Sequence, residues 1–143
     1  MSTPEGKVKS RVDAILAKYT NVLINPTTKG YGKSGAADKI TCIAGFFVAI
    51  ETKSNQAVGI KKYPTKLQQR FLANVLRNNG YIAVINEDNI DKLDDWLQSI
   101  AHPHTIRYRE LIFDGCPHPY EAEQAKDVTF WSKLTYWRSE GKS

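Results

Sequence analysis

Apolar residues Val8, Val12, Ile15, Leu16 and Tyr19 recur at i, i+4, i+7, i+8 and i+11, with Lys7, Lys9, Arg11 and Lys18 around them. That spacing predicts one stripe of an amphipathic helix. Residues 21–25 read as a short strand ended by Pro26. Residues 27–35 are polar and hold three glycines and two lysines, the pattern of a mobile loop. Residues 38–43 and 46–53 are rich in β-branched and aromatic side chains, and Ala44-Gly45 between them is a turn signal. After a second polar loop over 54–64, Thr65 opens a helix whose buried face is expected to be Leu67, Phe71, Leu72, Val75 and Leu76. Gly80 is expected to end it in the left-handed conformation.

Residues 81–86, Tyr-Ile-Ala-Val-Ile-Asn, are almost wholly apolar and predict a central strand. Asp88 or Asn89 is expected to cap a further helix with Ile90, Leu93, Trp96, Leu97 and Ile100 on one side. Residues 105–113 fit either a strand or a helix. Pro117 and Pro119 mark a break, and 120–138 is mostly helical in period. The expected fold class is α/β: a core over 1–100 of order α-β-β-β-α-β with a mixed four-stranded sheet, and C-terminal helices. Residues 101–143 form an extension packed on the core or at a dimer interface.

The hairpin carries the candidate chemistry. A two- or four-residue loop at Ala44-Gly45 pairs residues whose numbers sum to 89, so Cys42 opposes Phe47, Ile40 opposes Ala49, and Asp38 opposes Glu51. An odd-numbered loop would slip the register and separate the two acids. Side chains alternate along a strand, which puts Glu51 and Lys53 on the face of Asp38. Directly opposite Cβ atoms lie about 4.5–5.5 Å apart, and like charges there are destabilising. A cation between them resolves the conflict, and Lys53 beside them makes the set a candidate metal-dependent hydrolytic centre.

Composition narrows the classes. The chain has 143 residues, which fits one domain. No apolar run approaches the ~20 residues of a membrane span, and the opening Met-Ser-Thr-Pro-Glu-Gly-Lys lacks a hydrophobic export segment. Two cysteines far apart in sequence, Cys42 and Cys116, do not read as a disulfide framework. These features point to the cytoplasm and no membrane partner. A net charge of +5 permits a polyanionic partner without requiring one.

Gly35-x-x-Asp38, a strand, a glycine turn and Glu51-x-Lys53 together resemble the PD-(D/E)XK nuclease superfamily, with its restriction-endonuclease-like core. The continuation, a loop to Gln68 on a helix and then a Gly-Tyr step into an apolar strand, is similar to the VRR-NUC branch. The likeness covers residues 8–97. It implies that Asp38 and Glu51 bind Mg²⁺ or Mn²⁺ with the Thr52 carbonyl. Lys53 would orient or activate water or stabilise the scissile phosphate, and Gln68 would support the site. An acidic residue of the first helix would join them, Glu5 being the better match and Asp13 the second. Two departures are slight: Ala37 stands where the family has proline, and Thr52, between Glu51 and Lys53, is expected to turn its side chain away. The likeness implies a metal-dependent DNA endonuclease, structure-selective for branched DNA such as four-way junctions. Symmetric junction cutting needs two sites, hence a homodimer through the first helix or the aromatic C-terminal segment. Compact stand-alone relatives resemble phage-encoded enzymes acting in the host cytoplasm.

Other readings stand beside these. Thr65 and Gln68 also match a capping box, and Gln68 cannot serve cap and active site fully at once. Lys33, Lys61, Lys62, Lys66, Arg70 and Arg77 read as a phosphate track or as a solvated face. His102-x-His104 and Cys116-x-His118 could meet as zinc ligands, against which stand their one-residue spacing and Pro103, Pro117 and Pro119. Phe130, Leu134 and Trp137, with Trp131, Lys133, Tyr136 and Arg138, form an aromatic face for the core, a second subunit or base stacking. Alternative functions are a non-catalytic DNA-binding or assembly module on the same fold, a nicking nuclease of linear duplex, and a zinc-stabilised adaptor.

Overall fold

Helix α1 spans Pro4–Leu16. Thr3 caps it, its hydroxyl accepting from the Gly6 amide at 3.0 Å, and proline at the first position supplies a preset φ. This is a computed structural model, and it describes residues 3–26, 35–102 and 104–122. Most of the 27–35 loop, Lys33, Pro103 and the aromatic segment from Phe130 to Arg138 lie outside the described residues.

The strands are β1 (Leu23–Ile24), β2 (Lys39–Ile43), β3 (Phe46–Thr52), β4 (Tyr81–Ile85) and β5 (Glu110–Ile112), and the remaining helices are α2 (Lys66–Arg77) and α3 (Leu93–Ala101). They form one sheet in the order β1-β2-β3-β4-β5. The pairs β1/β2 and β2/β3 are antiparallel, while β3/β4 and β4/β5 are parallel. The fold is therefore α/β with a mixed sheet of five strands, not the four expected. The open stretch 105–113 supplies the fifth, and the Trp96 indole anchors its approach by donating to the Tyr108 carbonyl at 2.8 Å. No described helix is long and apolar enough to cross a membrane.

Period-two alternation divides the core. Val48 and Ile50 of β3, with Tyr81, Ala83 and Ile85 of β4, pack against Val8, Val12 and Leu16 of α1 and Leu93, Trp96, Leu97 and Ile100 of α3. Ala49, Ile82 and Val84 face Leu72, Ala73 and Leu76 of α2 on the other side, where Phe113 and Tyr120 join them. Helices thus cover both faces, and β4 is buried at every position, as its apolar run demands.

The β2–β3 turn is the two-residue loop Ala44-Gly45, closed by Ile43 opposite Phe46. Both turn residues have positive φ, 52° and 87°, the signature of a type I′ hairpin. Cys42 opposes Phe47 and Ile40 opposes Ala49 as the pattern required.

Three local expectations change. Gly80 does not carry the left-handed residue after α2. Asn79 does, with φ 65°. The Gly80 amide donates to the Val75 carbonyl at 2.9 Å and that of Asn79 to Leu76 at 3.1 Å, a Schellman motif. Glycine is needed at 80 for space, because a Cβ there would lie 2.5 Å from Val75 Cγ1. Leu67 is exposed rather than buried. The stripe of α2 that meets the sheet runs through Gln69, Leu72, Ala73 and Leu76, so Leu67 and Phe71 occupy its flank. Finally, Asn89 does not cap α3, which follows a 3-10 turn over Ile90–Lys92. Its side chain ties the end of β4 instead, accepting from the Asn86 amide at 2.9 Å and donating to the Val84 carbonyl at 3.0 Å.

Candidate active site

The β2–β3 ladder ends at Lys39 opposite Ile50. One step further, Asp38 and Glu51 meet: the Asp38 amide donates to Glu51 Oε1 at 3.1 Å. Asp38 Oδ2 accepts from the Thr52 amide at 2.9 Å and the Thr52 hydroxyl at 2.8 Å. Thr52 therefore does not turn away from the acids. Asp38 lies past the ladder, where its carboxylate can reach across the strand end and take both donors. Lys53 is held by its amide on the Ile85 carbonyl at 2.9 Å, and its ammonium lies 3.6 Å from Glu51 Oε2.

Gly35 fixes the entry to Asp38. Its φ is +85°, and a Cβ there would sit 2.7 Å from the Leu67 main chain. Only glycine lets this segment pass so close to the first turn of α2.

A second lysine, unforeseen in the sequence, completes the cluster. Lys9 Nζ lies 3.6 Å from Asp38 Oδ1 and 3.3 Å from Glu5 Oε2. The helical signal was present as the Glu5–Lys9 spacing, but nothing in the sequence placed it beside Asp38. The same geometry separates the two acidic candidates of α1. Glu5 reaches the site, whereas Asp13 pairs with the buried Lys39 at 2.9 Å, which also donates to Asn25 Oδ1 at 2.7 Å.

The acids differ in protonation. Glu51 is 1 % exposed. Burial first, and the Asp38 charge second, push its carboxyl up to about 9, against the opposing pull of Lys53. Burial also works against ionised Asp38, but the two Thr52 donors, the Glu51 carboxyl and Lys9 outweigh it and hold Asp38 below its usual value. At neutral pH, with no cation bound, Asp38 is charged and Glu51 keeps its proton.

The donor set fits a hard divalent cation. Glu51 Oε2 is buried and has no hydrogen-bond partner among the described residues, an unfavourable state for such an atom. Mg²⁺ is usually held by one or two carboxylates with several waters. Asp38 and Glu51 with the Thr52 carbonyl offer that set, and Mn²⁺ would suit the same oxygens. The His/Cys set does not gather. His118 Nε2 lies 2.9 Å from Glu110 Oε2, His102 and His104 are exposed, and no three His, Cys, Asp or Glu side chains form a metal-holding group among the described residues.

Gln68 forms the capping box: its Oε1 accepts from the Thr65 amide at 2.8 Å, and its own amide donates to the Thr65 hydroxyl at 3.1 Å. The neighbouring Gln69, which sequence reasoning passed over, lines the cleft instead. Its Nε2 donates to the Pro64 carbonyl at 3.2 Å. The cleft holds about 560 Å³, and Glu5, Lys53, Lys61, Tyr63, Lys66 and Gln69 are on its walls. Lys61 and Lys66 thus stand with Lys53. Lys62 lines an adjoining hollow with Asp88 and Asp114, and Arg70 lies along α2 outside the cleft lining.

Comparison with family models, curated proteins and solved structures returns no match.

Proposed function

We propose that the chain is a metal-dependent DNA endonuclease with a PD-(D/E)XK-type site on a restriction-endonuclease-like core. The observation that carries the reading is Glu51 Oε2, buried with no hydrogen-bond partner among the described residues, beside charged Asp38 and 3.6 Å from the Lys53 ammonium. A buried carboxylate pair with an adjacent ammonium is costly as a structural device. It becomes favourable once a divalent cation replaces the Glu51 proton.

When bound, the Mg²⁺ or Mn²⁺ ion supplies an activated water and neutralises charge on the phosphate. The protein's own groups do the rest. Asp38 and Glu51 hold the cation, and Thr52 fixes Asp38 through two hydrogen bonds. Lys53 pairs with a non-bridging phosphate oxygen and stabilises the charge that builds there as water attacks phosphorus. The attacking water forms one P–O bond and gives up a proton to solvent, while the bond to the leaving oxygen breaks and that oxygen takes a proton from solvent. Lys61 and Lys66 hold flanking phosphates along the cleft.

Branched DNA, including four-way junctions, is the proposed substrate class, and a homodimer the proposed cutting unit, because the described residues of one chain form one such site and a symmetric cut needs two. The test is cleavage of a labelled four-way junction, a flap and a linear duplex with Mg²⁺ or Mn²⁺, with Glu51→Ala and Lys53→Ala as controls. Product from the linear duplex alone would remove branch selectivity and leave the nuclease.

A further inference from the structure

We infer that Val58 and Ile60 form an apolar wedge that enters the stack of DNA bases at the lip of the cleft. The inference rests on the nuclease reading only in placing DNA there. Val58 and Ile60 are 83 % and 88 % exposed, and both are large β-branched side chains. Gly59 between them has φ +61° and nothing within 4 Å of where its Cβ would be. The tip therefore stands clear of the rest of the molecule.

The base of the tip is braced. Gly59–Lys62 is a 3-10 turn, with the Lys61 amide on the Val58 carbonyl at 3.3 Å and the Tyr63 amide on Ile60 at 3.1 Å. Tyr63 stacks on Phe113 with centroids 6.2 Å apart. Ile60 itself forms part of the wall that carries Lys53, Lys61 and Lys66.

Charge selects the occupant. Lys61 and Lys62 follow the apolar pair directly in sequence, and Lys66 lines the same cleft as Ile60 and Lys61. An apolar tip whose Ile60 shares a cleft wall with Lys53, Lys61 and Lys66, and with Glu5 as the acid among them, matches a ligand with an anionic rim and an apolar interior, which is the description of stacked bases between phosphates. Proteins that kink DNA insert such aliphatic side chains between base steps while cations hold the backbone. Unstacking costs least where pairing is already interrupted. The wedge would therefore favour nicked, bulged or branched DNA with no base-specific contact, which supplies a physical source for structure selectivity.

The test uses 2-aminopurine, whose fluorescence rises when it leaves the stack. A nicked duplex labelled beside the nick and a four-way junction labelled at the branch are titrated with the full chain in Ca²⁺, and binding is followed separately by anisotropy. The wild type is expected to raise the fluorescence several-fold at saturation. Val58→Ser/Ile60→Ser, with its lysines intact, is expected to bind with little loss of affinity and to lose the rise. Both positions are exposed, so the fold should be unaffected, and a thermal melt checks this. Saturating wild-type binding without a rise, an equal rise from the variant, or no DNA binding at all would overturn the wedge. So would a rise that the variant keeps while its oligomeric state changes, which would make the tip a contact between copies. A rise without cleavage in Mg²⁺ would leave the wedge standing and remove the nuclease. Cleavage without a rise would do the reverse.

Discussion

The amide of Asp38 donates to Glu51 Oε1 at 3.1 Å, and the other Glu51 oxygen is left facing Lys53 at 3.6 Å. One oxygen of this buried carboxyl is thus satisfied by the strand it opposes, and the other has Lys53, a residue of the cleft wall, beside it. Its raised pKa follows from this position, and so does a dependence of stability on pH.

Without metal, Glu51 binds its proton more tightly folded, at about 9, than at its ordinary 4.5. Its contribution to stability is full below the ordinary value and is lost as pH rises through the folded one. Asp38, shifted down, contributes oppositely, through stability lost in acid. Glu51→Gln keeps the shape and removes the proton linkage. Urea unfolding in EDTA at about pH 5 and about pH 8.5 should show the variant gaining on the wild type as pH rises. A stability difference independent of pH would contradict this.

Cation binding must displace the Glu51 proton. Mn²⁺ titrations near neutral pH should therefore release close to one proton, so the observed heat should change with the ionisation heat of the buffer. Affinity should rise with pH toward about 9. Buffer-independent heats would show that Glu51 does not hold the metal.

Gln68 is committed to the helix cap. Thr65→Ala should cost about 1 kcal/mol of stability. Gln68→Ala should destabilise by less and leave the single-turnover cleavage rate within about threefold, far short of the ~100-fold or greater loss from removing a transition-state donor. A loss of that larger size from Gln68→Ala, with stability unchanged, would return Gln68 to the active site.

The hairpin was legible because a strand's side chains alternate strictly and the loop at Ala44-Gly45 is even. Those two facts place Asp38 opposite Glu51, and period 3.6 places Leu93, Trp96, Leu97 and Ile100 on the buried side of α3, with Ile90 buried in the 3-10 turn before it. Features that depend on tertiary proximity could not be read. Lys9 and Asp38 are brought together by the docking of α1, not by spacing. Gln68 and Gln69 are adjacent, and only the rotation of α2 on the sheet decides which one meets the cleft. β5 is three residues long and follows the alternation of Arg107 and Arg109, too short for its own period to stand out. At the end of α2, a glycine signals a left-handed residue by its chemistry, but the constraint on Gly80 is space beside Val75.

Ala44 bears the strain of a tight turn, since its φ of 52° disfavours a residue with a Cβ. Asn-Gly is the preferred type I′ pair, so Ala44→Asn should stabilise the protein by about 1 kcal/mol. A urea midpoint that does not rise would contradict the turn geometry. The substitution lies at the far end of the hairpin and should leave cleavage unchanged.

The most direct measurement is single-turnover cleavage of a labelled four-way junction with Mg²⁺ or Mn²⁺ by the wild type, Glu51→Gln and Lys53→Met in parallel. The expected result is product that forms only with metal, with the rate reduced by ~100-fold or more in each variant. Metal-dependent product formed equally by all three proteins would contradict the assignment of Glu51 and Lys53 to the site, and no product from the junction, a flap or a linear duplex would contradict the nuclease itself.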